Sequence, residues 1–269
     1  MTAKLESFRF YGDPPFRVAV IHGGPGAAGQ MAPVARRLSR RQGVLEPLQT
    51  VPSVEEQINE LRDVLTAHGD IPATLIGSSW GAWLALLTAA RHPECAEKLI
   101  LVGSGPLEER YASGILETRL GRLDPETRKE VLELMEKLDV PSGEDKDSLL
   151  SRLGEIFTRI DAYDPITLDM ETVAVQHDIH IRVWKEAAVM RRSGALLREA
   201  EKVQCPVVAI HGDYDPHPSE GVQRPLSGAL NDFRLVLLQR CGHQPWIERQ
   251  AQDPFFDILE DELTIQPSD

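Results

Sequence analysis

Leu75-Ile76-Gly77-Ser78-Ser79-Trp80-Gly81-Ala82-Trp83-Leu84-Ala85-Leu86 is the stretch that most restricts what this chain can fold into. Apolar residues lead into a Gly-x-Ser-x-Gly pentapeptide and a helix-prone apolar run leaves it, which predicts a strand, a sharp turn and a helix in immediate succession. A turn that tight holds its central residue in a strained conformation, and Gly77 and Gly81 keep side chains out of the space beside it. Ser79, at the tip, is a candidate nucleophile. Chance supplies such a pentapeptide in roughly one chain in ten of this length, so the flanking elements have to carry the reading.

Those elements alternate. Phe16-Arg17-Val18-Ala19-Val20-Ile21 reads as a buried strand that breaks into the rigid loop His22-Gly23-Gly24-Pro25-Gly26. Met31, Val34, Ala35 and Leu38 then recur at helical spacing, with Arg36, Arg37, Arg40 and Arg41 on the other faces and near the end that favours cations. A short strand is expected through Val44 and Leu45. Ser53 and Glu56 form a capping box for a helix whose apolar face is Val54, Ile58, Leu61 and Leu65. Ala73-Thr74-Leu75-Ile76 and the run from Lys98 to Gly103 are further strands. The alternation predicts an α/β fold with a mostly parallel sheet flanked by helices.

From about Gly105 to Lys202 the pattern turns helical. Asp124-Pro125 starts one helix with Val131, Leu134, Met135 and Leu138 on its apolar face, and Pro141-Ser142-Gly143 is expected to stop it. A second follows through Leu149, Leu153, Ile156, Phe157 and Ile160, and a third through Val183, Trp184, Ala187, Ala188 and Met190. Strand patterns resume at Cys205 to His211, which leads into Gly212-Asp213-Tyr214-Asp215-Pro216, and at Phe233 to Leu238, which leads into Cys241-Gly242-His243-Gln244-Pro245. A closing helix spans Pro254 to Leu263. The expected organisation is a core from residues 1–104 and 203–269, interrupted by a helical cap from 105–202.

The net charge of −13, with no basic stripe, argues against nucleic acid as a partner. No apolar run is long enough for a membrane span, and the N-terminus lacks the basic and apolar regions of a secretory signal. Cys95, Cys205 and Cys241, odd in number and widely spaced, read as free thiols in a reducing compartment, so a cytoplasmic protein is expected. The histidines show no metal-ligand spacing, and neither metal nor organic cofactor is expected. Oligomeric state is left open.

A nucleophilic serine needs a base, a group that orients the base, and donors for the oxyanion. His243, in an irregular loop after a core strand, is the expected base. Asp213 and Asp215 share the acidic loop; Asp215, further from the strand and followed by Pro216, is assigned as the orienting acid, while Asp213 is expected to cap its own turn. The amides of Trp80 and Gly24 are the expected oxyanion donors, since Pro25 has no amide hydrogen.

With His22-Gly23-Gly24-Pro25-Gly26 and Gly77-Ser78-Ser79-Trp80-Gly81 both present, the chain resembles the α/β-hydrolase superfamily over nearly its whole length, and within it the proline iminopeptidase branch. The order Ser79, Asp215, His243 is the order of that fold. The resemblance implies those three as a catalytic triad, Gly24 and Trp80 as the oxyanion hole, and hydrolysis of a small ester or amide, extending to removal of an N-terminal proline from a short peptide. That branch uses cap glutamates to hold a substrate amino group, which makes Glu186, with Trp184 beside it, the candidate substrate contacts. Its usual Asp-Gln-Arg-Gly segment has no counterpart in Gly43-Val44-Leu45-Glu46-Pro47-Leu48. A carboxylesterase, a lactonase or a carbon–carbon bond hydrolase of the same fold is the alternative, and a ligand-binding member without catalysis is the alternative from another class.

Overall fold

Seven strands form one sheet in the computed structural model, which describes residues 7–140, 145–166 and 175–264. They are β1 (Phe8–Tyr11), β2 (Val18–Ile21), β3 (Val44–Pro47), β4 (Ala73–Ser78), β5 (Ala96–Val102), β6 (Val207–Gly212) and β7 (Phe233–Leu238). Their spatial order is β1-β3-β2-β4-β5-β6-β7. β1 runs antiparallel to β3, and every other neighbouring pair is parallel. Parallel neighbours require crossovers, and helices supply them: α1 (Ala32–Leu38), α2 (Val54–His68), α3 (Trp80–Arg91) and α9 (Glu220–Ala229) each join two strands. Between β5 and β6 the crossover is expanded to α4 (Ile115–Gly121), α5 (Pro125–Asp139), α6 (Lys146–Ile160), α7 (His177–Arg192) and α8 (Ala195–Ala200), and α10 (Gln252–Thr264) follows β7.

Alternation along the strands sorts the core into two layers. Ala19, Ile21, Leu75, Leu99, Leu101, Val207 and Ala209 face one side with α2, α3, α8 and α9. Val18, Val20, Ile76, Ile100, Val102, Val208 and Ile210 face the other, against Met31 and Val34 by α1 and Phe255 and Leu259 of α10. Because both faces are covered, β4 is buried at every residue. α3 is buried from Trp80 to Ala89, as its nearly all-apolar sequence requires.

The expected cap contains two kinds of packing. α5 and α6 enclose a small cluster of their own, Val131, Leu134, Leu153 and Ile156. α7 instead buries Ile179, Val183 and Ala187 in the same cluster as α2 and α3. Asp124 caps α5 by accepting from Glu126 N and Thr127 N, both at 3.0 Å, with Pro125 in the first turn. The stop expected at Pro141-Ser142-Gly143 lies outside the described residues. Among the described residues no helix is long and apolar enough to cross a membrane.

Several boundaries differ from the sequence expectation. The first expected strand begins at Val18 rather than Phe16, whose amide donates instead to Asp70 Oδ2 in the loop between α2 and β4. β1 is an unexpected edge strand, too short to show a period. α9 is unexpected because it carries Pro225 in its interior, which local propensity rejects; burial of Val222, Pro225 and Leu226 overrides that penalty.

Candidate active site

The carboxyl ends of β4, β5, β6 and β7 lie side by side, so the loops that leave them meet along one edge of the sheet. Ser79 stands between β4 and α3 with φ 52° and ψ −113°, a conformation that costs a non-glycine residue roughly 1–3 kcal/mol. Its surroundings enforce that turn. A Cβ on Gly77 would overlap Gly81 O, and a Cβ on Gly81 would overlap Ile21 O and His22 O, so glycine is the residue that fits at either position. Ser79 N donates to Val102 O at 2.9 Å, which ties the elbow to the end of β5.

The next residue, Gly103, faces the histidine loop. A Cβ there would lie 2.6 Å from His243 O and 3.1 Å from His243 Nδ1. Ser79 and His243 therefore flank the same Val102–Gly103 corner. His243 is 8% exposed, and its Nδ1 donates to Asp215 Oδ2 at 2.7 Å. Asp215 leaves β6 through the Gly212 to Pro216 loop, and its other oxygen accepts from His217 N at 2.9 Å and His217 Nδ1 at 2.8 Å. His211 Nε2, 3.5 Å from Asp215 Oδ2, donates to His217 O at 2.8 Å. Asp213 does something other than cap its own turn: its Oδ1 accepts from Cys241 N at 3.1 Å, bridging to the histidine loop.

Burial opposes the charge on Asp215, but the fields of His243, His217 and His211 and the His217 hydrogen bond hold its carboxyl well below the ordinary range. Burial also pushes His243 down; Asp215 and then Asp161 outweigh it and raise the ring above its usual value, with Arg119 opposing. For His217 burial wins over Asp215, and the ring falls to about 4. One carboxylate thus faces one histidine disposed to take a proton and one that stays neutral.

Two buried acidic residues brace the histidine loop from behind, one by its carboxylate and one by its backbone carbonyl. Glu248 is fully buried and accepts from Gly242 N at 2.7 Å, Tyr163 N at 2.7 Å and Asp164 N at 2.8 Å. Asp161, at the end of α6, accepts from His243 N through its carbonyl at 3.0 Å, while Arg119 of α4 grips its carboxylate at 3.0, 3.0 and 2.5 Å. Neither residue has a sequence signature: in the sequence each is one acid among many, and only the fold buries it. His217, between two prolines, has a visible irregularity that the sequence alone does not connect to Asp215.

The glycine loop sits against the elbow, where a Cβ on Gly23 would lie 3.1 Å from Ser79 Cβ. His22 shapes it. Burial drops the His22 ring to about 4, which leaves Nδ1–H to donate to Gly23 O at 2.8 Å and Nε2 to accept from Gln49 N at 3.2 Å. Gly23 N is taken by Gln30 Oε1 at 3.1 Å, whereas among the described residues the Gly24 and Trp80 amides have no such partner. α7 holds the loop from above: Gln176 N donates to Gly26 O at 2.9 Å, and His180 Nδ1 lies 3.2 Å from Pro25 O.

The two expected substrate contacts on α7 fall differently. Glu186 Oε2 accepts from Val54 N at 2.8 Å, so one oxygen of its carboxylate serves the start of α2. Trp184 stacks on Trp83 at 5.8 Å and meets Trp80 edge-on at 6.4 Å, keeping 36% of its surface exposed. The absence of metal-ligand spacing read from the sequence needs amending: Asp215, His217 and His243 bring ligand atoms within 4.8 Å of one another, although those atoms are hydrogen-bonded among themselves.

The family model described as serine aminopeptidase, S33, matches residues 48–250. A pimeloyl-[acyl-carrier protein] methyl ester esterase of Chromobacterium violaceum is 25% identical over 268 residues, covering 93% of this chain and 94% of that protein. The solved structure of VinJ superimposes with a TM-score of 0.65 at 18% identity, covering 97% of this chain and 95% of that one. A proline iminopeptidase of Mycobacterium smegmatis gives 0.63 at 18% identity, covering 95% and 93%.

Proposed function

The chain belongs to the serine aminopeptidase S33 family, an α/β-hydrolase family, and from that premise we propose that it is a serine esterase using Ser79, His243 and Asp215. Ser79 Oγ attacks the ester carbonyl and gives its proton to His243 Nε2, while Asp215 holds the ring by Nδ1 and stabilises the imidazolium. The amides of Gly24 and Trp80 receive the oxyanion, each contributing about 2.7–4 kcal/mol in the transition state. His243 returns the proton to the departing alcohol, then activates water to release the acid from the acyl-enzyme. The observation that carries this reading is the buried 2.7 Å bond from His243 Nδ1 to Asp215, set beside a serine held at φ 52°.

An ester is favoured over an N-terminal prolyl peptide by two observations. The curated relatives are methyl ester esterases at about a quarter identity, and Glu186, the expected amino-group ligand, is engaged by Val54 N. A small alcohol such as methanol as leaving group fits this reading. Turnover of short-acyl methyl and aryl esters, compared with a prolyl arylamide, is the test. Ester hydrolysis that falls at least about 10⁴-fold in Ser79→Ala is the expected result. Prolyl arylamide as the better substrate would overturn the ester assignment.

A further inference from the structure

His217 has no part in that mechanism, yet it holds two hydrogen bonds to the triad acid where His243 holds one. We propose that His217 is a positioning residue for the reacting histidine: its Nδ1–H fixes the rotation of the Asp215 carboxylate so that Oδ2 is left for His243. The proposal rests on the triad reading above.

The donor is preorganised. Pro216 and Pro218 flank His217 and restrict its backbone, and His211 Nε2 pins His217 O at 2.8 Å. The ring therefore arrives at Asp215 Oδ1 from an anchor independent of the bond it makes there, at 2.8 Å. It also lies against the His243 ring, with centroids 4.6 Å apart and planes 31° from parallel. Fixed outer partners of this kind are how a ligating or catalytic side chain keeps its orientation.

Charge decides which histidine takes the proton. The groups facing the pair are Asp215 and His211 from the β6 side, Asp161 at the end of α6 and Arg119 on α4. A single buried carboxylate supports one imidazolium well and two poorly. Asp161 adds its field to His243, and burial leaves His217 neutral. A neutral Nδ1–H orients the carboxylate and draws off a little of its charge without competing as a cation. With that donor removed, Oδ1 keeps only the His217 backbone amide, so Asp215 becomes more basic and is held less firmly: the His243 imidazolium is stabilised before reaction, and the ring is oriented less well during it.

His217→Ala is expected to lower kcat about tenfold with KM within about twofold, and to move the acid limb of kcat/KM to higher pH. One low-field Nδ1–H proton resonance of the two expected in the wild-type spectrum should vanish. His217→Asn, whose Nδ2 falls where Nδ1 stands, is expected to restore both kcat and the pH limb. His217→Gln, which keeps volume but carries its amide past Asp215, takes the place of His217→Ala if the latter does not fold. Wild-type kcat and pH limb in the donor-less variant would overturn the proposal, as would a folded His217→Asn no better than His217→Ala. Ser79→Ala, measured alongside, separates the two levels: turnover retained there sinks the triad reading, whereas a dead Ser79→Ala with an unaffected His217→Ala sinks only this one.

Discussion

In the proposed mechanism the chemistry turns on Asp215, which is buried, held well below the ordinary carboxylate range and bonded on both oxygens. Its neighbour two residues back shows how finely the roles are divided. Asp213 faces a backbone amide at Cys241, so Asp213→Asn should lose less than tenfold in turnover. Asp215→Asn should fold but lose about 10⁴-fold, since the amide presents His243 with the wrong partner and favours the wrong tautomer. The two variants should also part in their pH profiles. A general base works when neutral, so kcat/KM falls as pH drops through the His243 value, which Asp215 raises above 6.5. Wild type and Asp213→Asn should share that raised limb, and Asp215→Asn should show it displaced to lower pH. Equal activity of the Asp215→Asn enzyme would reject the assignment.

At the level of elements, the elbow is a crossing of three pieces of chain held at backbone contact. β4 enters, α3 leaves, and the end of β2 passes so close that Gly81 has no room for a side chain. The clash at Gly81 is with main-chain oxygens of Ile21 and His22, which cannot rotate aside, so Gly81→Ala must separate β2 from α3. A loss of roughly 3 kcal/mol in unfolding free energy is expected, the upper range for overpacking, together with loss of esterase turnover, because the shift moves the glycine loop relative to Ser79. Chemical denaturation with parallel kinetics checks this; a Gly81→Ala protein with wild-type stability would show that the close approach has slack. α7 is the second element that sets the site. It touches the glycine loop through Gln176 and His180, the elbow helix through Trp184 and the start of α2 through Glu186.

Across the whole molecule, the parts legible in the sequence were those written locally. Short apolar, β-branched runs marked the central strands, the Gly-x-Ser-x-Gly turn marked the elbow, and chain order proposed Ser79, Asp215 and His243 as a set. The rest depended on contacts between distant segments. Glu248 carries no pattern, yet it joins Gly242 to Tyr163 and Asp164, about 80 residues away in the chain. Arg119 and Asp161 lie 42 residues apart and meet only because α4 and α6 fold over the triad loops. Glu186 shows the converse: the family resemblance implies a substrate contact, and the fold adds a bond to a backbone amide that no local pattern announces. The charge of −13 says nothing of the reaction, which the proposed mechanism places on a few buried groups at one sheet edge. The claim that unites these scales is that Ser79 is a nucleophile activated by His243. Intact-protein and peptide mass spectrometry after treatment with a fluorophosphonate tests it most directly. One phosphonyl group on Ser79 in the wild type, and none on a folded Ser79→Ala protein, is the result predicted; modification at another residue, or no reaction of the folded wild type, would contradict it.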